Sequence, residues 1–159
     1  MKPIAPGSPA EKAAPTLSVL YVEDEASNWE VTELRLRSKY ALRWAKSDEE
    51  ACEFVRKEGD RLHAILMDVQ LKGSTLDGLQ LTRLFRGKLP LADQPNYAKR
   101  LPILSCPIFF VTAYGNLHSP IEMDAAGGNG HVPKPVDFFK LTLLLANASA
   151  RRAIEALKR

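Results

Sequence analysis

The chain has few cysteines, little excess charge and no long apolar run. Cys52 and Cys106 are its only cysteines; they lack metal-ligand spacing, and two thiols make no disulfide framework. Both fall in apolar surroundings, so packing thiols in a reducing cytoplasm are expected. No stretch approaches the roughly 20 apolar residues needed to span a bilayer, so no membrane partner is expected. Lys2 is followed by prolines at 3, 6, 9 and 15 without an apolar core, which excludes a secretory signal and leaves a cytoplasmic location as the expectation. A net charge of +3 is too mild for a nucleic-acid footprint, and no direct nucleic-acid contact is expected. There is no internal repeat.

What is present suits one domain: 159 residues, 45% apolar and 26% charged, enough to bury a proper core. Residues 1–15, rich in Pro, Ala, Gly and Ser, read as a disordered leader, and residues 16–159 as the domain. Short apolar runs then alternate with amphipathic stretches. The runs predict strands over residues 17–22, 42–45, 63–67, 108–111 and 131–133. Helices are predicted over residues 27–39, from a Ser47 cap with Glu50 completing a capping box as far as Gly59, from the Asp77-Gly78 turn through Phe85, over residues 116–126, and from beyond Pro135 toward Leu157. Residues 87–107 form a long connection with four prolines and with Lys88, Lys99 and Arg100 around Tyr97. Two readings stand for it: a mobile loop, or a surface whose tyrosine and bases meet an acidic partner. Five strands alternating with five helices predict an α/β fold, a five-stranded parallel sheet of order 2-1-3-4-5 (flavodoxin-like) with helices on both faces.

In such a sheet the strand ends share one edge, where ligands bind. Four predicted strands end there in polar residues: Glu23-Asp24, Asp68, Thr112 and Lys134. Three acids suit an octahedral oxygen-liganded magnesium ion, with Asp24 and Asp68 each giving an oxygen and Glu23 acting directly or through water. Lys134 or a cation must offset their mutual repulsion. A carboxylate can attack phosphorus to give an aspartyl phosphate, and Lys134 and the Thr112 hydroxyl would then meet the phosphoryl oxygens. Each residue alone has a bland reading as a cap or surface group; the set in this order carries the functional one.

At this point the sequence resembles a known family. Val-Glu-Asp-Glu at 22–25, Ile-Leu-Met-Asp at 65–68, Val-Thr-Ala-Tyr-Gly at 111–115 and Pro-Lys-Pro at 133–135 look like the receiver domains of two-component response regulators, of the chemotaxis-regulator type. The resemblance implies Asp68 as phosphoacceptor, Asp24 as direct magnesium ligand with Glu23 as its acidic partner, Lys134 as the phosphate-binding lysine and Thr112 as the switch hydroxyl. It also implies the Gln70 backbone carbonyl as a metal ligand, a cis Lys134-Pro135 bond, and a histidine kinase or histidine phosphotransfer protein as donor. The chain would be a signalling phosphoacceptor rather than an enzyme, assisting only its own phosphorylation and dephosphorylation. With no further domain expected after the last helix, it would be a stand-alone regulator acting through a downstream protein partner. A homodimer through the face of the fourth helix, fifth strand and fifth helix is one expectation for that last helix; an exposed, charged helix end is the other.

Departures from the family pattern are few. The Asp24–Asp68 and Thr112–Lys134 intervals, 44 and 22 positions, look like the family's, but Asp68–Thr112, also 44, is longer by the 87–107 insertion. His131 stands where the family carries an aromatic that swings inward, and reads either as that switch or as an edge histidine facing water. Gln70 and Tyr114 hold the two positions that tune hydrolysis of the acyl phosphate, and a bulky Tyr114 favours slow loss. Lys72 replaces a common proline. The rivals are a receiver-like interaction module working without phosphorylation, a phosphohydrolase with an aspartyl nucleophile, which would want a second acid where Gln70 stands, and a flavodoxin-type binder, which would want a phosphate-cradling first loop.

Overall fold

The computed structural model describes residues 17–113 and 119–158. Five strands, β1 (Leu17–Val22), β2 (Tyr40–Ala45), β3 (Ala64–Asp68), β4 (Ile108–Thr112) and β5 (Gly130–Pro133), form one parallel sheet in the order β2-β1-β3-β4-β5. Between and after them run α1 (Ala26–Leu36), α2 (Asp48–Glu58), α3 (Gly78–Phe85), α4 (Pro120–Ala126) and α5 (Phe138–Leu157). The expected fold class and strand order are therefore observed.

Alternation along the strands divides the core in two. Leu20, Val22, Ile65, Met67, Ile108 and Phe110 point to one face, with Ala51, Val55, Leu81, Phe85 and Met123 of α2, α3 and α4. Val19, Tyr21, Leu66, Phe109 and Val111 point to the other, with Leu36 of α1 and Leu141 and Leu145 of α5. Both faces being covered, the central strands read as continuous apolar runs. Their ends align: Val22 pairs with Met67, Asp68 with Val111, and Thr112 with Pro133.

Helix ends depart from the sequence reading in instructive ways. Ser47 caps α2 by accepting the Glu50 N–H, but the Glu50 carboxylate takes the N–H of Lys46 at 2.6 Å instead of closing the expected box. Full boxes form at α3, between Asp77 and Gln80, and at α4, between Ser119 and Glu122. The Ser119 cap and Pro120 put the start of α4 after residue 116, and α1 ends at Leu36 rather than 39. β2 starts two residues early because Tyr40, 6% exposed, pairs with Leu17 and joins the core. The expected leader, residues 1–15, lies outside the described residues.

The long connection is packed, not projecting. It contains two short 3-10 turns, Leu91–Asp93 and Asn96–Ala98, and buries Leu89, Ala98, Leu104 and Cys106 in the α2/α3 core. Arg86 holds it by donating to the Leu104 carbonyl at 2.6 Å, and Leu104 N–H bonds the Phe85 carbonyl. Its tyrosine does meet an acid, but one of its own chain: the Tyr97 hydroxyl donates to Asp48. Apolar burial between prolines explains the difference, since the same prolines that suggested a loop also stiffen it.

Candidate functional site

The cleft at the carboxyl edge of the sheet is set by where each strand stops. β1 ends at Val22, so Glu23 turns inward and is fully buried, while Asp24 is half-exposed. β3 ends on Asp68, 4% exposed, and β4 on Thr112, 2% exposed. After β5 the Lys134 N–H bonds the Thr112 carbonyl at 2.6 Å, and the Lys134-Pro135 bond is cis, as the resemblance implied. α3 starts hard against this edge: a Cβ on Gly78 would lie 2.0 Å from the Asp68 carbonyl oxygen, so glycine is needed to let the helix approach.

Lys134 spans two acids, its Nζ 2.9 Å from Glu23 Oε2 and 3.1 Å from Asp68 Oδ2. Glu23 is otherwise saturated: Oε2 accepts the Tyr21 hydroxyl at 3.0 Å, and Oε1 accepts the Glu25 N–H and the Asn28 amide, each at 3.2 Å. Asp68 Oδ1 accepts the Gln70 N–H, and Asp24 Oδ2 accepts the Lys72 N–H at 3.3 Å. Trp44 donates to the Glu23 carbonyl at 2.7 Å and stacks on Trp29, bracing the acidic turn from β2.

Electrostatics follow from burial. Burial, then the neighbouring Glu23 charge, push the Asp68 carboxyl up to about 7, against the opposing pull of Lys134 and the Gln70 N–H. Burial pushes Lys134 down, but Asp68 and Glu23 outweigh it, and its ammonium stays above the ordinary range. Burial and Glu23 raise the Tyr21 phenol, which therefore remains a neutral donor.

One carboxylate oxygen each from Glu23, Asp24 and Asp68 lie within 4.8 Å of one another, a hard-oxygen set that could hold a metal ion. The fit is best for Asp24 and Asp68. Glu23 has four hydrogen-bond donors on its two oxygens, which suits it to hold Lys134 and to act on a cation through water. The cleft, about 280 Å³, is lined by Asp24, Glu25, Asn28, Asp68, Gln70, Lys72, Ala113 and Lys134. A larger cleft of about 650 Å³ lies far from these acids, between Cys106, Phe109 and Arg151.

The structure thus brings Glu23, Asp24, Asp68, Gln70 and Lys134 together, with Thr112 at the adjoining strand end. His131 is half-buried on β5, in register with Phe110 and one strand removed from Asp68. Tyr114 lies outside the described residues. Sequence reasoning missed Tyr21 and Asn28. Tyr21 was legible in principle, since residues two apart on a strand share a face. Asn28 depends on how α1 leaves the turn, which no local pattern marks.

Fold and cleft together define a doubly wound α/β domain with an acidic, lysine-bridged cluster at its carboxyl edge that could hold a metal ion. The model of the response regulator receiver domain matches residues 19–146. The chain belongs to that family: it is a receiver domain of the two-component response regulators. It is 31% identical over 138 residues to the response regulator protein PilR of Pseudomonas aeruginosa, covering 86% of this chain and 27% of PilR. To the transcriptional regulatory protein ZraR of Klebsiella oxytoca it is 26% identical, covering 84% of this chain and 26% of that protein. The chain spans about a quarter of the length of the curated relatives it matches. Among solved structures, a response regulator from Chloroflexus aurantiacus is similar at 30% identity and TM-score 0.64, covering 84% of this chain and 98% of that one. The Ssk1 receiver domain of Saccharomyces cerevisiae, co-crystallised with the histidine phosphotransfer signaling protein Ypd1, is similar at 26% identity and TM-score 0.68, covering 87% and 92%. No helix among the described residues is long and apolar enough to cross a membrane.

Proposed function

We propose that this receiver domain takes a phosphoryl group on Asp68 from the phosphohistidine of a histidine kinase or histidine phosphotransfer protein, with Mg2+ as cofactor. The observation that carries this reading is the ammonium of Lys134 set between Glu23 and Asp68, beside Asp24 and over an open cleft. An Asp68 oxygen attacks phosphorus, and the electron pair of the breaking P–N bond leaves with the imidazole. Lys134, already fixed by Glu23, meets one phosphoryl oxygen, and the Thr112 hydroxyl meets another. Asp24, Asp68 and the Gln70 backbone carbonyl would hold Mg2+, which when bound neutralises charge on the phosphoryl oxygens. Glu23 keeps Lys134 in place while Asp68 changes charge.

The domain consumes the phosphoryl group on itself and turns over only by hydrolysis of its own acyl phosphate, which Tyr114 and Gln70 tune. The added charge, about −1.5 to −2 at neutral pH, biases the surface near Thr112 and His131, the latter as switch residue. Output passes to a downstream protein partner, or to a second copy, through α4, β5 and α5, where Ile121 and Phe139 are exposed. The cytoplasm is the compartment that fits a phosphohistidine donor. The Ypd1–Ssk1 neighbour supports the donor class.

The test is beryllofluoride binding with Mg2+, read by the fluorescence of Trp44, whose indole bonds the Glu23 carbonyl. Saturable binding that Asp68→Asn abolishes supports the reading. Binding unaffected by Asp68→Asn, or no binding by the unsubstituted protein, contradicts it and favours the phosphorylation-independent interaction module.

A further inference from the structure

The 87–107 insertion reaches the phosphoacceptor loop through one buried acid. Asp48, the first residue of α2, is only 2% exposed. Its Oδ2 accepts the Leu76 N–H at 2.9 Å and the Tyr97 hydroxyl, and its Oδ1 accepts the Glu49 N–H at 2.9 Å. Its own N–H donates to Ser74 Oγ at 3.0 Å. Ser74, Thr75 and Leu76 belong to the segment 69–77 that leads from Asp68 to α3. Earlier in that segment, the Gln70 N–H bonds Asp68 and the Lys72 N–H bonds Asp24.

Val69, Leu71 and Leu76 pin the segment to the core, but the rest of it runs over the surface. It contains Gly73 at φ +80°, and Gln70, Lys72, Gly73 and Thr75 are all exposed. A buried carboxylate must be met by donors, so a donor supplied from the insertion fixes the position of Asp48 and, through it, of Leu76 and Ser74. Burial and the Asp48 bond push Tyr97 up to about 12, which keeps the phenol a neutral donor at physiological pH. Arg56 holds the same tyrosine by its backbone, donating to the carbonyls of Tyr97 at 2.6 Å and Lys99 at 3.3 Å, whereas Gln94 Nε2 ties the insertion elsewhere by donating to the Leu89 carbonyl at 2.8 Å.

We infer that Tyr97 is a positioning residue for the cation site: clasped to Asp48, it holds the 69–77 segment so that Asp24, Asp68 and the Gln70 backbone are preset for a divalent cation. The inference rests on the receiver reading of that site. The insertion then serves as a brace on the chemistry from outside the cleft, and any contact that displaced Tyr97 would loosen the site at a distance.

The experiment uses the full chain with Mg2+ alone as probe, measured by titration calorimetry, together with amide hydrogen exchange at Lys72 and Leu76. Tyr97→Phe removes only the hydroxyl; it is expected to weaken Mg2+ binding about three- to tenfold, the loss expected when preset ligands must be ordered on binding, and to speed exchange at both amides. Gln94→Leu, which removes the bond to the Leu89 carbonyl without touching Tyr97 or Asp48, is expected to leave Mg2+ affinity within about twofold. Unchanged affinity and exchange in Tyr97→Phe overturn the inference, as does an equal loss in Gln94→Leu, which would mean general loosening. If the unsubstituted protein binds no Mg2+, the receiver-site reading itself fails, and exchange at Lys72 and Leu76 still decides whether the clasp fixes the loop.

Discussion

Lys134 Nζ stands 2.9 Å from Oε2 of Glu23, a carboxylate with no solvent exposure that is also met by Tyr21, Glu25 and Asn28. The pair leaves the ammonium aimed at Asp68, 3.1 Å from its Oδ2. A lysine fixed by a second acid loses little conformational freedom when it meets a phosphoryl group, which is how positioning lowers a barrier.

Removing that ammonium should cost stability as well as chemistry. Lys134→Met leaves Glu23 and Asp68 as adjacent buried charges, and the expected loss is about 2–4 kcal/mol, read from urea unfolding in metal-free buffer. Mg2+ should restore part of the loss, because the cation replaces the missing charge.

Asp68 gives the site a defined pH dependence. Its carboxyl is raised from its ordinary value to about 7 in the fold, so the protonated form is favoured there and the charged form is penalised. Stability from this group is fully present below the unfolded value of about 4 and is lost as pH rises through about 7. Asp68→Asn should therefore stabilise the metal-free protein by roughly 1–3 kcal/mol at pH 8 and far less at pH 4. Mg2+ binds the carboxylate form, so its affinity should rise about tenfold between pH 6 and pH 8 and then level off, a slope that Asp68→Asn removes. Calorimetric titration at several pH values checks both the sign and the plateau.

Gly78 should tolerate no side chain. With a Cβ only 2.0 Å from the Asp68 carbonyl oxygen and 2.9 Å from Val69 Cα, both backbone atoms, Gly78→Ala must displace α3 or the strand end. The expected cost is about 3 kcal/mol or more, with weakened Mg2+ binding in whatever remains folded. Leu79→Ala, one residue on, creates a cavity instead and should lower stability by about 2–4 kcal/mol while leaving Mg2+ affinity nearly unchanged. Comparison of the two by denaturation and calorimetry separates backbone approach from core packing.

The sheet was legible because its strands are buried on both faces: runs such as Val19 to Val22 and Ile65 to Met67 have one plausible place in an α/β fold. The acids were legible for the same reason, since a polar residue closing such a run lies at the ligand edge. Helix boundaries were less so. Glu50 could serve Ser47 or Lys46 equally well by spacing, and the choice is made by the turn geometry at β2. The packing of the insertion was not legible because prolines and charges mark an irregular path without saying whether it packs; Leu89, Ala98, Leu104 and Cys106 are too sparse to show a period. Asp48 has no mark in the sequence beyond following the Ser47 cap, and only the fold reveals that Tyr97 and Leu76 meet it.

The most direct measurement of the central claim is phosphotransfer to the full chain from a small phosphodonor with Mg2+, followed by intact mass and by hydroxylamine sensitivity, in the unsubstituted protein and in Asp68→Asn. Gain of one hydroxylamine-labile phosphoryl group that is absent in Asp68→Asn and lost on chelation of Mg2+ is the predicted result. A phosphoryl group that persists in Asp68→Asn, or none in the unsubstituted protein despite measurable Mg2+ binding, would contradict it.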